Sequence, residues 1–299
     1  MPTPYIGRFA PTPSGYLHFG SLLAALASYL DARSHNGRWL LRIEDLDTPR
    51  NIPGASQHIL RTLEAYGLDW DGGVIYQSDR VTHYQQVINQ WLESGDAYYC
   101  DCSRREILAH GNIYPGTCRD RQLPARADHA IRLRVDTTEL TVSDRLQGHF
   151  TQRLSDTSGD FIIRRRDGII AYQLAVVVDD IAQRVTDIVR GADLLESTPR
   201  QHWIYHLLQQ PAPRYLHIPL IMRPDGEKLS KRLGSTPLEP KQASSKLYRA
   251  LSLLAQEPPA ELAGAPISQQ LRWAISHWQP GQLPATRHIV EKTHPAHDR

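Results

Sequence analysis

His18 and Gly20 stand in a loop whose composition and surroundings suit phosphate binding. The loop is rich in proline and glycine and separates a short apolar run from a helical pattern that begins near Leu22. A strand–loop–helix junction points backbone N–H groups and the positive end of the helix dipole at an anion. His18 could donate a hydrogen bond to a phosphate oxygen, and Gly20 would allow a close approach. A capping histidine and an ordinary turn glycine would explain the same residues.

A second candidate phosphate site is the basic segment at residues 228–232, Lys-Leu-Ser-Lys-Arg. Together with the loop around His18, a mobile loop that carries Lys231 could close on a polyphosphate and open to release product. Lys231 in particular could neutralise the charge that develops on the phosphates during transfer. A solvated basic loop would have the same composition.

A third set of residues could recognise a zwitterionic substrate. Arg8 and Arg190 follow short apolar runs, and two guanidiniums suit two carboxylates. Glu44 ends an apolar strand pattern and could pair with an ammonium group, with Tyr172 as a further polar contact. A substrate with two carboxylates and one ammonium is glutamate or aspartate. In the alternative interpretation, the two arginines form salt bridges with aspartates of this chain, namely Asp45, Asp47 or Asp193.

The cysteines cluster in a way that favours metal binding over disulfides. The sequence has three, Cys100, Cys102 and Cys118, which is too few for a disulfide framework. Three thiolates this close together suit a tetrahedral zinc ion that lacks one more ligand. A histidine or a tyrosine could complete the set: His110, His129 or Tyr114. Three free thiols are the alternative.

The elements that must position these residues alternate between strand and helix. This alternation predicts an α/β fold with a parallel sheet. We expect residues 1–96 to form the first half of a catalytic domain, 97–160 an inserted subdomain with the cysteines, 161–235 the second half, and 236–299 a helical segment. The apolar passage after Gly168 could be a strand or a strand leading into a helix.

The composition and the apolar runs favour a globular protein over a membrane-spanning or secreted one. The 299 residues are 40% hydrophobic and 22% charged, with a net charge of +2, which is typical of a globular protein. The apolar run at residues 22–30 is too short to span a bilayer, and the first eight residues lack a signal-peptide pattern. We therefore expect a cytoplasmic protein without a membrane partner. The basic run Arg164–Arg166 is a candidate nucleic-acid contact or a solvated turn.

Taken together, these motifs resemble a known family. Residues 8–21 resemble the first signature of class I aminoacyl-tRNA synthetases of the glutamyl type, and residues 228–232 resemble the second. Four further stretches are similar to that family in the same order: residues 41–50, 76–80, 172–180 and 189–195. The resemblance covers residues 5 to about 235.

The resemblance implies a Rossmann-like class I domain that activates L-glutamate with ATP, with Mg²⁺ on the phosphates. It implies His18, Gly20 and Lys231 as catalytic residues, with Lys228 and Ser230 as further ATP contacts. The implied glutamate contacts are Arg8, Phe9, Ala10, Pro11, Thr12, Glu44, Tyr172 and Arg190.

The segment after the second signature is short compared with a full glutamyl-tRNA synthetase. The sequence is more similar to a truncated branch of the family, the glutamyl-queuosine tRNA(Asp) synthetases. That resemblance implies glutamyl transfer to queuosine in the anticodon stem-loop of tRNA(Asp), one structural zinc ion completed by Tyr114, and a monomer. The alternatives are a compact glutamyl-tRNA synthetase that charges a tRNA 3′ end and a non-catalytic tRNA-binding paralogue.

Overall fold

The computed structural model describes residues 4–109, 111, 113–222 and 236–290. His110, Lys228, Ser230 and Lys231 lie outside the described residues. The strands, β1 to β12 in chain order, are Ile6–Phe9, Arg38–Ile43, Ile75–Tyr76, Ala97–Cys100, Ala130–Leu133, Glu139–Asp144, Gly148–Arg153, Phe161–Arg164, Asp187–Gly191, Arg214–Ile218, Leu220–Met222 and His288–Val290. The α-helices, α1 to α9, are Phe19–Ser34, Ala55–Ala65, Val81–Ser94, Arg104–Leu108, Leu154–Thr157, Tyr172–Ala182, Thr198–Leu207, Ala243–Leu253 and Ile267–His277.

Two sets of parallel strands build the centre of the fold. In one, β2 pairs with β1 and β3, and in the other, β10 pairs with β9 and β6. The two sets adjoin where β1 lies beside β9, and the carbonyl of Ile6 accepts a hydrogen bond of 2.9 Å from the amide of Thr186. The carboxyl ends of β1 and β9 therefore lie at the same edge, where ligands bind in open α/β sheets. The predicted α/β fold with a parallel sheet is confirmed.

Helix α1 is the central helix of this half of the molecule. Apolar residues occupy most of its circumference, from Leu22 to Ala32, and nearly all of them are buried. A helix that is apolar all round must be covered on several sides. Strands β1, β2 and β9 cover one side of α1, and helices α8 and α9 contact another. The C-terminal helices thus complete the core around the helix that follows the candidate phosphate loop.

The inserted region is more closely joined to the rest of the chain than the sequence indicates. Strands β4, β5 and β8 form one antiparallel sheet, so pairing crosses the boundary expected at residue 160. Strands β6 and β7 form a hairpin, and Asp144 at the end of β6 pairs in register with Tyr215 of β10. A local pattern cannot show the sheet of β4, β5 and β8 or the pairing of β6 with β10, because these partners are tens of residues apart in sequence.

The apolar passage after Gly168 is helical, since α6 begins at Tyr172. Aspartates interrupt its apolar run at positions 179 and 180, and both are buried. Across the part of the chain that the structure describes, no helix is both long and apolar enough to cross a bilayer.

Candidate active site and metal centre

A cavity of about 530 Å³ opens at the carboxyl ends of β1 and β9. Its walls come from the end of β1, the loop that leads into α1, the start of α6 and the end of β9. The structure brings most of the expected glutamate contacts and the first signature histidine to this cavity: Arg8, Phe9, Ala10, Pro11, Thr12, His18, Tyr172 and Arg190. Residues far apart in the sequence thus share one concave site.

His18 is the N-cap residue of α1 and lines the cavity. One of its two ring nitrogens already has a hydrogen-bond partner. Its Nδ1 accepts a hydrogen bond of 3.2 Å from the amide of Ser21. Burial lowers the pKa of His18, which favours the neutral ring. With Nδ1 acting as an acceptor, the ring proton is on Nε2. Nε2–H is therefore the group that His18 can donate to an anion at the helix N-terminus.

Gly20 lies beside His18 in a second, smaller cavity that adjoins the first. A Cβ atom at position 20 would lie 3.1 Å from Cε1 and 3.2 Å from Nδ1 of the His18 ring. The absence of a side chain therefore leaves room for the histidine ring to reach Ser21, in addition to any room it leaves for a ligand.

Arg8 is held by a buried ion-pair network that local sequence patterns do not show. Its Nε lies 3.2 Å from Oδ1 of Asp180 on α6, and Asp180 also accepts a hydrogen bond of 2.8 Å from Nη2 of Arg42 on β2. Burial would raise the pKa of Asp180, but Arg42 and Arg8 outweigh it and hold the pKa below its ordinary value. Asp180 is therefore an anion that orients two guanidiniums.

Glu44 lies immediately behind the cavity wall, only 8% exposed, and its amide donates to the carbonyl of Pro11. Its Oε1 lies 3.5 Å from Nη2 of Arg42 and has no hydrogen-bond partner within the described residues. Burial raises the pKa of Glu44 to about 7, although Arg42 and Arg8 oppose the shift. A buried carboxylate oxygen that accepts no hydrogen bond suits a cationic donor such as an ammonium group.

Arg190 has uncharged partners among the described residues. Its guanidinium donates to His217, Tyr172, Thr198 and Gln201 at 2.7–3.4 Å. Arg8 and Arg190 therefore do not pair with the three aspartates considered from the sequence; Arg8 has Asp180, and the positive charge of Arg190 is available to a carboxylate in the cavity.

The mouth of the cavity carries exposed apolar groups. Tyr16 and Ile52 line it and are each 45% exposed. The Tyr16 ring stacks on His58, with 4.1 Å between the ring centroids. The amide of Ile52 donates to the carbonyl of Pro13, which ties the two loops together. Local sequence patterns do not indicate this rim, because the exposure of an aromatic ring depends on tertiary structure.

The cysteines form a compact cluster next to β4. The sulfurs of Cys100, Cys102 and Cys118 all lie within 4.8 Å of one another, so they can hold a metal ion. The Tyr114 hydroxyl lies 3.6 Å from Cys100 Sγ and 4.0 Å from Cys102 Sγ. By contrast, Nδ1 of His129 bonds to the carbonyl of Pro124. Sulfur atoms around a tetrahedral zinc ion lie roughly 3.8 Å apart, which the cluster approximates.

The basic run Arg164–Arg166 is partly engaged within the protein. Arg165 pairs with Asp47 and Asp167, and Nε of Arg166 donates to the carbonyl of Asp128. Its contact with nucleic acid stays a prediction.

Comparison with known proteins places the chain among the synthetases. Residues 6–255 match the family described as tRNA synthetases class I (E and Q), catalytic domain. The chain is 56% identical over 292 residues to the glutamyl-Q tRNA(Asp) synthetase of Pseudomonas aeruginosa PAO1, covering 98% of this chain and 99% of the relative. It is 57% identical over 291 residues to the protein of the same name from Ectopseudomonas mendocina ymp, covering 97% and 99%.

A solved structure shares the fold. It is a glutamate tRNA ligase from Elizabethkingia meningosepticum in complex with its amino acid, with a TM-score of 0.80 and 24% identity. The match covers 95% of this chain and 66% of the ligase chain.

Proposed function

This chain belongs to the glutamyl-Q tRNA(Asp) synthetases, a family of class I tRNA synthetases, and we propose that it activates L-glutamate with ATP and transfers the glutamyl group to queuosine at the first anticodon position of tRNA(Asp). The observation that carries the glutamate assignment is the buried Oε1 of Glu44, which accepts no hydrogen bond within the described residues and lies beside a cavity lined by Arg8 and Arg190. One carboxylate for an ammonium and two guanidiniums for two carboxylates match an acidic amino acid.

In the first step, an oxygen of the glutamate α-carboxylate attacks the α-phosphorus of ATP. The new bond is the acyl-phosphate bond of glutamyl-adenylate, and the bond to the β-phosphate breaks to release pyrophosphate. The carboxylate is itself the nucleophile, so catalysis consists of positioning and charge stabilisation. His18 Nε2–H would donate to a phosphate oxygen at the α1 N-terminus. By resemblance, Lys231 would add positive charge, with Lys228, Ser230 and Mg²⁺ also on the ATP phosphates.

In the second step, a hydroxyl of queuosine attacks the acyl carbon of glutamyl-adenylate; the new ester bond replaces the acyl–phosphate bond, AMP leaves and the hydroxyl proton passes to solvent. The acceptor base therefore has to approach from solvent. Tyr16 and Ile52 support an entry at the cavity mouth, because an exposed aromatic ring next to the activated carboxyl offers a surface on which a base can stack.

The cysteine cluster is proposed to hold one structural zinc ion, with Tyr114 as its fourth ligand. The support is the convergence of three sulfurs and the phenol oxygen. A Tyr114→Phe protein should bind zinc at least tenfold more weakly in a chelator competition, whereas His129→Ala should bind it as the wild type does. Equal zinc affinity in all three proteins would refute Tyr114 as a ligand.

The experiment that tests the activity is glutamate-dependent exchange of pyrophosphate into ATP, with and without tRNA, followed by location of labelled glutamate. Exchange without tRNA, and label on tRNA(Asp) that is lost when the tRNA lacks queuosine, would support the proposal. Label at the tRNA 3′ end would identify a compact glutamyl-tRNA synthetase instead. No exchange in either condition would refute both and favour a tRNA-binding paralogue.

A further inference from the structure

We propose that Asp144 and His217 form a positioning pair that holds Arg190 in its glutamate-binding orientation, so that a strand of the inserted hairpin helps to set amino-acid affinity. This inference rests on the proposed function, since it assigns the Arg190 guanidinium to a substrate carboxylate.

The three residues form a continuous hydrogen-bonded chain across neighbouring strands. Nε of Arg190 donates to Nε2 of His217 at 3.0 Å, and the two residues are in register on β9 and β10. Nδ1 of His217 lies 2.6 Å from Oδ2 of Asp144, at the end of β6. His217 is fully buried, and Arg190 and Asp144 are 5% and 7% exposed. The chain therefore runs through the protein interior from the hairpin to the cavity.

The hydrogen bonds specify one tautomer of His217. Arg190 can only donate, so Nε2 must carry the lone pair and the ring proton must be on Nδ1, where Asp144 accepts it. The Thr198 hydroxyl near Nε2 donates to the carbonyl of Leu194 and so does not compete as a donor. A carboxylate that fixes the tautomer and orientation of a histidine is a known arrangement in enzymes.

The surrounding charges also favour a neutral His217 ring with its proton on Nδ1. Burial lowers the pKa of His217 to about 4, Asp144 opposes this shift, and the positive charges of Arg190 and Arg8 add to it. The ring is neutral near pH 7, and its unprotonated Nε2 faces the guanidinium. Asp144 remains ionised, because the hydrogen bonds from His217 and from the amides of Gln147 and Leu146 outweigh burial and lower its pKa.

The hydrogen bond that Arg190 donates to His217 decides which edge of the guanidinium faces the substrate. An arginine has five N–H donors. The Nε–H bonds to His217, the two Nη2–H groups bond to Thr198 and Gln201, and one Nη1–H bonds to Tyr172. Within the described residues, this leaves one Nη1–H, beside the Tyr172 hydroxyl that lines the same cavity. Without an acceptor at His217, the guanidinium could turn about its axis and this donor would be lost from the cavity.

Two substitutions of His217 separate its two contacts. In His217→Asn, the shorter amide can still donate to Asp144 near the position of Nδ1, but it offers no acceptor to Arg190. In His217→Gln, the longer side chain can place its carbonyl near the position of Nε2 and accept from Arg190. We expect the KM for glutamate in pyrophosphate exchange to rise about 10- to 100-fold in His217→Asn, as for loss of a hydrogen bond to a charged group. We expect a change of less than about fivefold in His217→Gln and a kcat within about threefold of wild type in both.

Asp144→Asn tests the tautomer. Its amide can donate to Nδ1 and move the ring proton to Nε2, where it would face the Arg190 Nε–H. We expect this variant to raise the KM for glutamate as His217→Asn does, while the KM for ATP stays unchanged. Calorimetric titration with glutamate alone should show the same order of affinities, and thermal unfolding of each variant reports on the fold.

The outcomes distinguish the inference from the function on which it rests. If the wild type binds no glutamate, the proposed function fails and the inference fails with it. If the wild type binds glutamate but His217→Asn and His217→Gln have the same KM, only the inference is refuted. A rise in KM that follows the loss of thermal stability across the variants, with no rescue by glutamine, would likewise show a purely structural role.

Discussion

Replacing Glu44 by glutamine should make the protein more stable at alkaline pH while it weakens glutamate binding. Burial raises the pKa of this carboxyl from 4.5 to about 7. The folded state therefore binds the proton more tightly than the unfolded state does, and the contribution of Glu44 to the free energy of unfolding falls as the pH rises from about 4.5 to about 7. Above pH 7 the whole cost is present.

The size of the effect follows from the shift. A difference of about 2.5 pKa units corresponds to about 3 kcal/mol, because one unit is about 1.4 kcal/mol. Glutamine has nearly the same shape and does not ionise, so Glu44→Gln removes this cost. The difference in unfolding free energy between variant and wild type should be near zero at pH 4.5 and rise towards about 3 kcal/mol at pH 8. Glutamate affinity should fall roughly 10- to 100-fold, since the ammonium loses its charged partner.

Urea unfolding at a series of pH values from 5 to 8 measures the first effect, and calorimetric titration with glutamate measures the second. Asp180→Asn is the matched control, because the pKa of Asp180 is lowered and its ionised form is paired with Arg8 and Arg42. Its contribution to stability is present above its ordinary pKa and is lost as the pH falls, so the amide variant should be less stable near neutrality, by roughly 3–5 kcal/mol. A Glu44→Gln protein whose stability difference does not change with pH, or that is less stable than wild type at pH 8, would refute the reasoning.

Three further outcomes are expected. The kcat/KM for glutamate in pyrophosphate exchange should fall about tenfold per pH unit below pH 7, since free Glu44 must lose its proton to pair with an ammonium; a flat profile between pH 5.5 and 8 would contradict this. Gly20→Ala should slow pyrophosphate exchange about 100-fold, because the new Cβ would lie 3.1 Å from the His18 ring; an unchanged rate would show that the ring position does not matter. Tyr16→Ala should lower glutamyl transfer to tRNA about 5- to 100-fold, as for loss of a base–aromatic stack, and leave exchange within twofold; equal loss in both assays would exclude a role specific to the acceptor.

Local patterns in the sequence predicted the elements that carry the site. The loop with His18 lies between a strand and a helix as expected, and the buried strand before Glu44 is β2. The close spacing of the cysteines predicted a metal cluster, which three sulfurs within 4.8 Å now support. The cysteines could be predicted to act together because they are neighbours in sequence. His18 and Glu44 could be placed because each lies at the end of one strand or the start of one helix.

The partners of the substrate-binding arginines could not be predicted in this way. Asp180 and Arg8 are 172 positions apart, and His217 and Asp144 are 73 apart. Only sheet and helix packing brings them together. A weak signal was nevertheless present, because α6 and β2 are apolar segments that contain charged residues: Asp179 and Asp180 in one, Arg42 in the other. A charge inside an apolar run indicates a buried ionic partner, although the run does not say which one.

Glu44 is the carboxylate of this network whose charged form is destabilised, and the positions of the neighbouring charges explain why. Arg42 is buried among Glu44, Asp179 and Asp180, and of these, Asp180 has the closest contact with it. Burial thus raises the pKa of Glu44 while the same guanidinium lowers that of Asp180. Within the part of the chain that the structure describes, Oε1 of Glu44 accepts no hydrogen bond, and it lies next to the cavity. An ammonium group of the substrate would donate to this oxygen and add a positive charge beside it. The buried carboxylate that costs stability in the free protein is therefore the group that favours binding of the ligand.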